Sequence, residues 1–208
     1  MFFYKEEMTM KKALQLFIIL TVFMLSVGIL SAATHVVTDN GNSGAGTLRQ
    51  AISDASSGDE ILFSFPNTSS TISISSELSI NKNLTIDGSN LLGGGKYITI
   101  EQTGSYRVLN MSGNVTLENL IISGADASSN YGGGIFCNSS ILTLDNITIT
   151  SNKALSGAGI FMNNNSSATI RNSTITNNSI EENGTYDGAG IYASANCYLY
   201  IMNSLISG

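Results

Sequence analysis

Basic side chains are scarce in this sequence, and tryptophan, proline and histidine are nearly absent. The 208 residues include 9 Lys and Arg against 15 Asp and Glu, for a formal net charge of −6, with no Trp, one Pro and one His. Neutralisation of phosphates by basic side chains supplies most of the affinity of nucleic-acid binding. Because the chain is acidic and has no basic patch, we exclude nucleic acid as a partner.

Helical periodicity is also lacking over most of the chain, and a short cassette recurs in its place. Three copies begin with a glycine-rich head, at residues 132–136, 157–161 and 188–192. An alternating run that ends in asparagine follows each head, and an earlier run ends in the same way; these asparagines are Asn119, Asn146, Asn172 and Asn203. They lie 27, 26 and 31 residues apart. Periods of this size, combined with short strands, predict a solenoid of parallel β-strands.

The amino-terminal segment has the features of a secretory signal peptide. Three lysines precede an uncharged stretch at residues 13–30, and Ser31 and Ala33 supply small residues for the −3 and −1 positions of a cleavage site. We therefore expect residues 1–33 to be a signal peptide that is cleaved after Ala33, and the protein to be secreted or displayed at the cell surface. Two alternatives stay open. The apolar stretch is long enough to be an uncleaved anchor, and Met8 or Met10 is also a possible initiator.

Residues 34–60 are predicted to form an N-terminal cap, and residues 61–208 the coils of a parallel β-helix, about five in number. The cap contains a strand at 35–37 and a helix at 47–55, the one convincing helix after the signal segment. Three signals support the helix. Thr47 and Gln50 form a capping box, Leu48, Ala51 and Ile52 form an apolar stripe, and Gly58 is a stop signal. Since a solenoid must cover the apolar end of its first coil, we expect this helix to do so.

Each alternating run predicts a strand with one inward and one outward face. Period-two alternation places Leu142 and Leu144 inward, and Thr143 and Asp145 outward. The asparagine that follows occupies a turn, and the four asparagines are expected to form a ladder of side-chain amides bonded to one another and to turn backbone. The preceding positions should stack on the outer face about 4.8 Å apart; they are Glu118, Asp145, Arg171 and Met202.

The glycine heads have a structural explanation. Glycine allows positive φ or close packing at a tight corner. Phosphate-binding glycine loops instead open a helix and carry a lysine, and none of the three heads has either feature. We therefore interpret the heads as corners of the coil.

Differences in length between the coils fall at one phase of the repeat, at residues 125–131, 153–156 and 179–187. Inserts in solenoids map to loops on one face, which is often the binding face. These segments therefore mark the predicted ligand-binding surface.

Cys137 and Cys197 are predicted to be unpaired. Cys137 directly follows a glycine head, whereas Cys197 lies just before a strand two coils later. Two coils separate residues by roughly 10 Å, which is beyond the reach of a disulfide.

Two groups of motifs resemble those of right-handed parallel β-helix surface proteins. Residues 46–52 (Gly-Thr-Leu-Arg-Gln-Ala-Ile), then 58–63 and 84–88, look like the opening of these proteins, which include the adhesin-like proteins of methanogenic archaea and the polymorphic outer-membrane protein repeats of chlamydiae. The pairs 149–152 with 157–160, and 175–178 with 188–191, are similar to the F-x-x-N and G-G-A-I of polymorphic outer-membrane protein repeats of chlamydiae, with Ile in place of Phe and a permuted order of small residues. The resemblance implies an all-β, right-handed, single-stranded parallel β-helix with an N-terminal capping helix and an adhesin-like function.

The same fold resembles that of pectate lyases and polygalacturonases, so an enzyme must be weighed. A polygalacturonase-like site needs clustered aspartates with the motifs Gly-His-Gly and Arg-x-Lys. Neither motif occurs here, and the single histidine, His35, lies beside the predicted cleavage site.

A lyase-like site needs carboxylates around a calcium ion and a basic residue. The column of Glu118, Asp145 and Arg171 comes nearest, and we interpret it as a surface stack. Asp87 is interpreted as turn chemistry.

The sequence thus predicts a non-enzymatic adhesin-like protein that binds glycans or another cell-surface ligand. No catalytic, cofactor-binding or metal-binding residue is assigned, and no cofactor is expected. A polysaccharide lyase or glycoside hydrolase of the pectate-lyase-like class is the alternative.

Two further expectations concern the surface. Eleven Asn-x-Ser/Thr sequons occur, and Asn183, in the longest insert, is the best candidate for glycosylation. The last coil has no counterpart of the N-terminal helix, so we expect either end-to-end self-association or continuation in a longer protein.

Overall fold

The computed structural model describes residues 31–66, 71–90, 98–181 and 188–207, together with Lys12 and Gln15. Residues Ala32–Gly208 form a compact unit that is distinct from Met1–Ser31. Most of the predicted signal peptide, and Asn183, lie outside the described residues. Within the described part of the chain, no helix has the length and apolar character needed to cross a membrane.

The compact unit is an all-β parallel solenoid of about six turns. Its largest sheet has seven strands in the order β1 (Thr34–Val37), β2 (Asp59–Phe63), β5 (Leu84–Asn90), β8 (Val115–Glu118), β12 (Ile141–Asp145), β16 (Ser167–Arg171) and β20 (Tyr198–Met202). The sequence predicted about five coils because β1 was assigned to the cap. In the structure β1 pairs in parallel with β2, with Thr34 opposite Glu60, and so begins the stack.

Three further sheets complete the coil. The six-stranded sheet contains β3 (Thr71–Ile74), β6 (Ile98–Gln102), β9 (Leu120–Ser123), β13 (Thr148–Thr150), β17 (Thr174–Thr176) and β21 (Leu205–Ile206). The five-stranded sheet contains β4 (Leu78–Ile80), β7 (Leu109–Met111), β11 (Ile135–Asn138), β15 (Ile160–Asn163) and β19 (Ile191–Ala193). The smallest sheet contains β10 (Asp126–Tyr131), β14 (Lys153–Ser156) and β18 (Ser179–Ile180).

The predicted inward and outward faces are confirmed. Leu142 and Leu144 are fully buried, whereas Thr143 and Asp145 are only partly buried. In the register of the sheet, Leu144 lies between Leu117 of the preceding coil and Ile170 of the next. Burial of an aliphatic side chain of this size contributes about 1.5–3 kcal/mol, so these stacked columns are the main source of stability.

Among the described residues between 31 and 207, one segment is helical, and this helix is α1 (Leu48–Asp54). Its predicted stripe is confirmed, since Leu48, Ala51 and Ile52 are buried in the main core. Only half of the capping box forms: the Thr47 side chain accepts the N–H of Gln50, but Gln50 Nε2 donates to Asp54 instead of returning to the cap.

The end of α1 is stabilised by a residue that the sequence did not indicate. Lys82 Nζ donates to the carbonyl oxygens of Ile52, Ser53 and Ala55 at 3.0, 3.1 and 2.6 Å. A cation at a helix C-terminus satisfies orphan carbonyls and interacts favourably with the helix dipole. The predicted stop residue, Gly58, lies in the following turn with φ +100°.

The four repeat asparagines occupy left-handed turns. Their φ values lie between 49° and 58°, a region that costs most L-residues about 1–2 kcal/mol but that asparagine tolerates. The predicted ladder forms in part: Asn146 Nδ2 donates to Asn119 Oδ1, and Asn203 Nδ2 to Asn172 Oδ1, each at 2.7 Å. Between these two pairs the ladder is interrupted, because Asn172 Nδ2 donates to Asp145 Oδ1 at 2.8 Å.

The asparagine turns should contribute measurably to stability. We expect Asn146→Ala to lower the free energy of unfolding by about 1–3 kcal/mol, because it removes an amide hydrogen bond and forces alanine into a left-handed turn. Asn146→Gly should cost less, since glycine adopts this φ freely. Thr143→Ala, on the outer face of the same strand, should stay within about 0.5 kcal/mol. Urea denaturation measures all three, and equal losses at positions 143 and 146 would contradict this assignment of the turn.

A second asparagine pair lies inside the coil. Asn152 and Asn178 are 1% and 4% exposed. Asn152 Oδ1 accepts the N–H of Ala125, and Asn178 Oδ1 accepts from both the backbone N–H and the side-chain amide of Asn152. These are the asparagines of the F-x-x-N-like motif, and their bonds satisfy buried backbone groups at the corner of each coil.

Both cysteines are free, as predicted. Cys137 is fully buried in the core, and this desolvation raises the pKa of its thiol to about 12. A thiol in this state is a weak nucleophile, so Cys137 is a packing residue.

Candidate functional site

The insert face is the small sheet formed by β10, β14 and β18. The sequence predicted loops at this phase, which is wrong for the described residues: Ala127, Ala154 and Ile180 are aligned in parallel strands. The reason is a separate small core, in which Ala127, Ala154 and Ala158 pack with Ile180. These segments are too short to show a periodicity, so pairing between coils is what orders them. Residues 182–187 of the longest insert lie outside the described residues.

A column of aromatic rings adjoins the insert face. Phe136, Phe161 and Tyr192 share one register position in β11, β15 and β19. The ring centroids of Phe161 lie 5.7 Å from Phe136 and 4.9 Å from Tyr192, with interplanar angles of 14° and 19°. Tyr131, the last residue of β10, also stacks on Phe161, at 4.8 Å and 15°. The insert face is therefore joined to the main solenoid by ring stacking.

The sequence analysis missed this aromatic column, although its signal was present. Each glycine head ends in an aromatic residue, at positions 136, 161 and 192. The column begins at Arg107, whose guanidinium lies 4.5 Å from the centroid of the Phe136 ring and is paired with Glu77 (Nε to Oε2, 3.2 Å). Stacked rings and the cation–π contact each contribute on the order of 1 kcal/mol.

One ion pair crosses the insert face. Lys153 Nζ lies 2.8 Å from Glu181 Oε1, linking β14 to the residue that follows β18. Both side chains are partly exposed, so the pair itself contributes little stability. The pair places one positive and one negative group, both partly exposed, on this face.

The carboxylate column lies on the seven-stranded sheet. Asp87, Glu118 and Asp145 face one another in consecutive coils, followed by Arg171 and Met202. The stacking predicted for positions 118, 145 and 171 is therefore confirmed. Asp87 at the head of the column was not anticipated there. Its Oδ1 also accepts from the N–H and Oγ of Ser89 at 2.9 and 2.8 Å, which is the local side-chain bonding expected of turn chemistry, although Asp87 lies within β5.

Electrostatic repulsion in this column is only partly relieved. Desolvation, followed by the charges of Asp87, Asp145 and Glu60, raises the pKa of Glu118, while Arg171 acts in the opposite direction. Arg171 Nε lies 3.6 Å from Asp145 Oδ2, with both side chains partly exposed. A surface pair of this kind contributes little stability.

An open groove of about 460 Å³ runs beside the column, lined by Glu118, Asp145 and three of the turn asparagines. Carboxylate and amide oxygens are ligands for hard cations. Across the described residues, however, no group of three or more His, Cys, Asp and Glu side chains has the geometry to hold a metal ion. The groove offers hydrogen-bond acceptors and donors, and no preformed metal centre within that part of the chain.

A third group of titratable side chains lies at the amino-terminal end. Asp59 Oδ1 accepts the N–H of Ala33 at 2.9 Å, and Asp59 Oδ2 lies 2.9 Å from His35 Nε2 and accepts the N–H of Ser56 at 2.7 Å. The bond from Ala33, with those from His35 and Ser56, lowers the pKa of Asp59 to about 2. Asp59 is therefore a permanent, well-bonded carboxylate at neutral pH.

Comparison of the chain with protein families, with curated proteins and with solved structures gave no match. The class of this protein is therefore defined by its fold, a parallel β-solenoid.

Proposed function

We propose that this protein is a non-enzymatic, adhesin-like surface protein whose insert face binds a glycan. The observation that carries the proposal is the assembly of the described parts of the three length-variable segments into one sheet, β10–β14–β18, held to the solenoid by the stacking of Tyr131 on Phe161. A rigid scaffold that presents variable segments on one face is a common arrangement for binding surfaces.

The charge of the chain narrows the class of glycan. Acidic side chains exceed basic ones by six over the whole sequence. Lys153 of the insert face and Arg107 of the aromatic column are each paired with a glutamate. A negatively charged surface repels polyanions at long range. We therefore propose neutral glycans as ligands, recognised by hydroxyl and amide groups and by the edges of the aromatic rings.

The finer features of the fold belong to the same proposal. We take the solenoid to be right-handed, α1 to cap its first coil, and residues 1–33 to direct export. The support is the resemblance of residues 46–52 and of the paired asparagine and glycine motifs to β-helix surface proteins, together with the burial of the apolar stripe of α1 in the core.

A pair of variants tests where the ligand binds. A glycan array probed with residues 34–208 identifies the ligand, and isothermal titration then measures its affinity. Deletion of residues 181–187 is expected to weaken binding at least tenfold, since it removes most of the longest insert, including Glu181. The double variant Glu118→Ala, Asp145→Ala is the control, and it should bind with unchanged affinity because the carboxylate column lies on a different sheet. The reverse pattern would move the binding site to the column.

The alternative function is a polysaccharide lyase, and the groove beside the carboxylate column is what favours it. Glu118 with a raised pKa, Asp145 and the nearby Arg171 are the kinds of group that a calcium-dependent lyase uses. Calcium-dependent release of unsaturated oligosaccharides from an acidic polysaccharide, lost in the same double variant, would establish this function in place of glycan binding.

A further inference from the structure

Asp59 is a carboxylate with an unusual set of partners. Its side chain is only 9% exposed, and it accepts two backbone N–H groups while lying against His35. One of the two backbone donors, Ala33, is at the predicted end of the signal peptide. The site thus joins the folded solenoid to the point at which an exported chain would be processed.

Ala33, the residue before β1, is already hydrogen-bonded to the sheet. Its carbonyl oxygen accepts the N–H of Glu60 at 2.9 Å, in addition to the bond from its own N–H to Asp59. The compact unit itself begins at Ala32. Cleavage after Ala33, which the small residues at 31 and 33 suggest, would remove both bonds and leave Asp59 Oδ1 without this donor.

We propose that Asp59 is the binding site for the α-ammonium group of the processed chain, and that Ala33 is the residue that carries this group. The inference rests on the proposed export. Hydrolysis of the Ala32–Ala33 peptide bond by a signal peptidase consumes one water, leaving a carboxylate on Ala32 and an ammonium group on Ala33. Ala32 supplies a small residue at −1, but Leu30 at −3 departs from the small-residue pattern that cleavage after Ala33 would meet. The Ala32–Ala33 bond is favoured instead on structural grounds, by the contact of Ala33 with Asp59.

The chemistry of the site fits an ammonium group better than an amide. The α-amino group has an ordinary pKa of about 7.7–8.0, so it is largely protonated at neutral pH and a neighbouring carboxylate favours that form further. The bond from the Ala33 amide to the Asp59 carboxylate is already charge-assisted, and an ammonium donor adds to it the attraction between two opposite charges. Processing would thus convert the amide contact at Asp59 into an ion pair that fixes the first strand, β1, at the end of the stack.

N-terminal acetylation provides a test that isolates the charge. Residues 33–208 are prepared with a free amine and, separately, with an acetylated one, which keeps an N–H donor but removes the positive charge. The equilibrium constant for unfolding should be about three- to tenfold smaller for the free amine. In the Asp59→Asn background the two forms should be equally stable. Equal stability of the two wild-type forms would overturn the inference.

A second measurement does not depend on the folding of a variant. Intact-mass analysis of the exported full-length protein should find a chain that begins at Ala33. A chain that begins at Thr34, or at any later residue, overturns this inference and leaves the proposed export in place. An exported chain that keeps its leader also overturns this inference and leaves the proposed export in place, whereas a full-length chain that stays inside the cell overturns both.

Discussion

Replacing Gly159 by alanine is expected to lower the free energy of unfolding by about 3 kcal/mol, the upper end of the range for overpacking. An added Cβ at this position would lie 2.3 Å from the carbonyl oxygen of Gly190 and 2.9 Å from Ile175 Cγ2. The first contact is with backbone of the next coil, which cannot move without breaking the strand pairing. Equilibrium urea denaturation, with the midpoint and slope fitted together, measures the loss.

Gly190 is a matched control for this prediction because it occupies the same position of the next glycine head. There an added Cβ meets Ile206 Cγ2 at 3.1 Å and other atoms only at 3.9 Å or more. Gly190→Ala should therefore cost clearly less, about 1 kcal/mol or below. Equal losses at positions 159 and 190 would show that the glycines are needed for a reason other than the closeness of the following coil.

The glycine heads also show what sequence reasoning can and cannot resolve. Positive φ and close packing were both proposed for the heads, and the structure uses both, at different glycines. The first glycine has positive φ (Gly132 +70°, Gly157 +55°, Gly188 +101°), and the third, in the heads that contain Gly134 and Gly159, closely approaches the backbone of the next coil. Both roles are filled by glycine, so the sequence does not distinguish them, and only the register of the coils does.

The fold was predictable from the sequence because its main determinant is local. Period-two alternation in runs such as 142–145 sets the buried face, and the recurrence of asparagine sets the coil length. The sheet of β10, β14 and β18 could not be predicted in this way. Its strands are short and rich in small or polar residues, and they are ordered only by pairing with residues about 27 positions away, such as Asp126 with Lys153.

The candidate site was less accessible to sequence reasoning. The carboxylate column followed directly from strand register, but the ring stack did not, because Tyr131 reaches Phe161 from a different sheet. Lys82 and Asp59 likewise act on residues 24 or more positions away. Contacts of this kind depend on how the sheets pack against one another, and no sequence motif predicts that packing.

Residues 34–208 are expected to self-associate at high micromolar concentration. The strands β19, β20 and β21 lie at the ends of their sheets, and apolar side chains of this coil are exposed, including Ile201 at 43% and Leu205 at 59%. Ile201 occupies an inward position, aligned with Ile170, which is fully buried. An exposed strand edge next to uncovered apolar surface is a template for pairing with another chain.

A single charge at this edge should abolish the association. Inward-pointing charged residues protect natural edge strands, so Ile201→Lys is expected to give a monomer in sedimentation-velocity experiments at concentrations where the unmodified protein forms larger species. Thr143→Lys introduces the same charge on an outer face in the middle of the stack, and it should leave association unchanged. Circular dichroism of both variants verifies that the solenoid is still folded. The prediction is refuted if the unmodified protein is strictly monomeric at high micromolar concentration. If a folded Ile201→Lys variant still associates, the contact lies elsewhere on the solenoid.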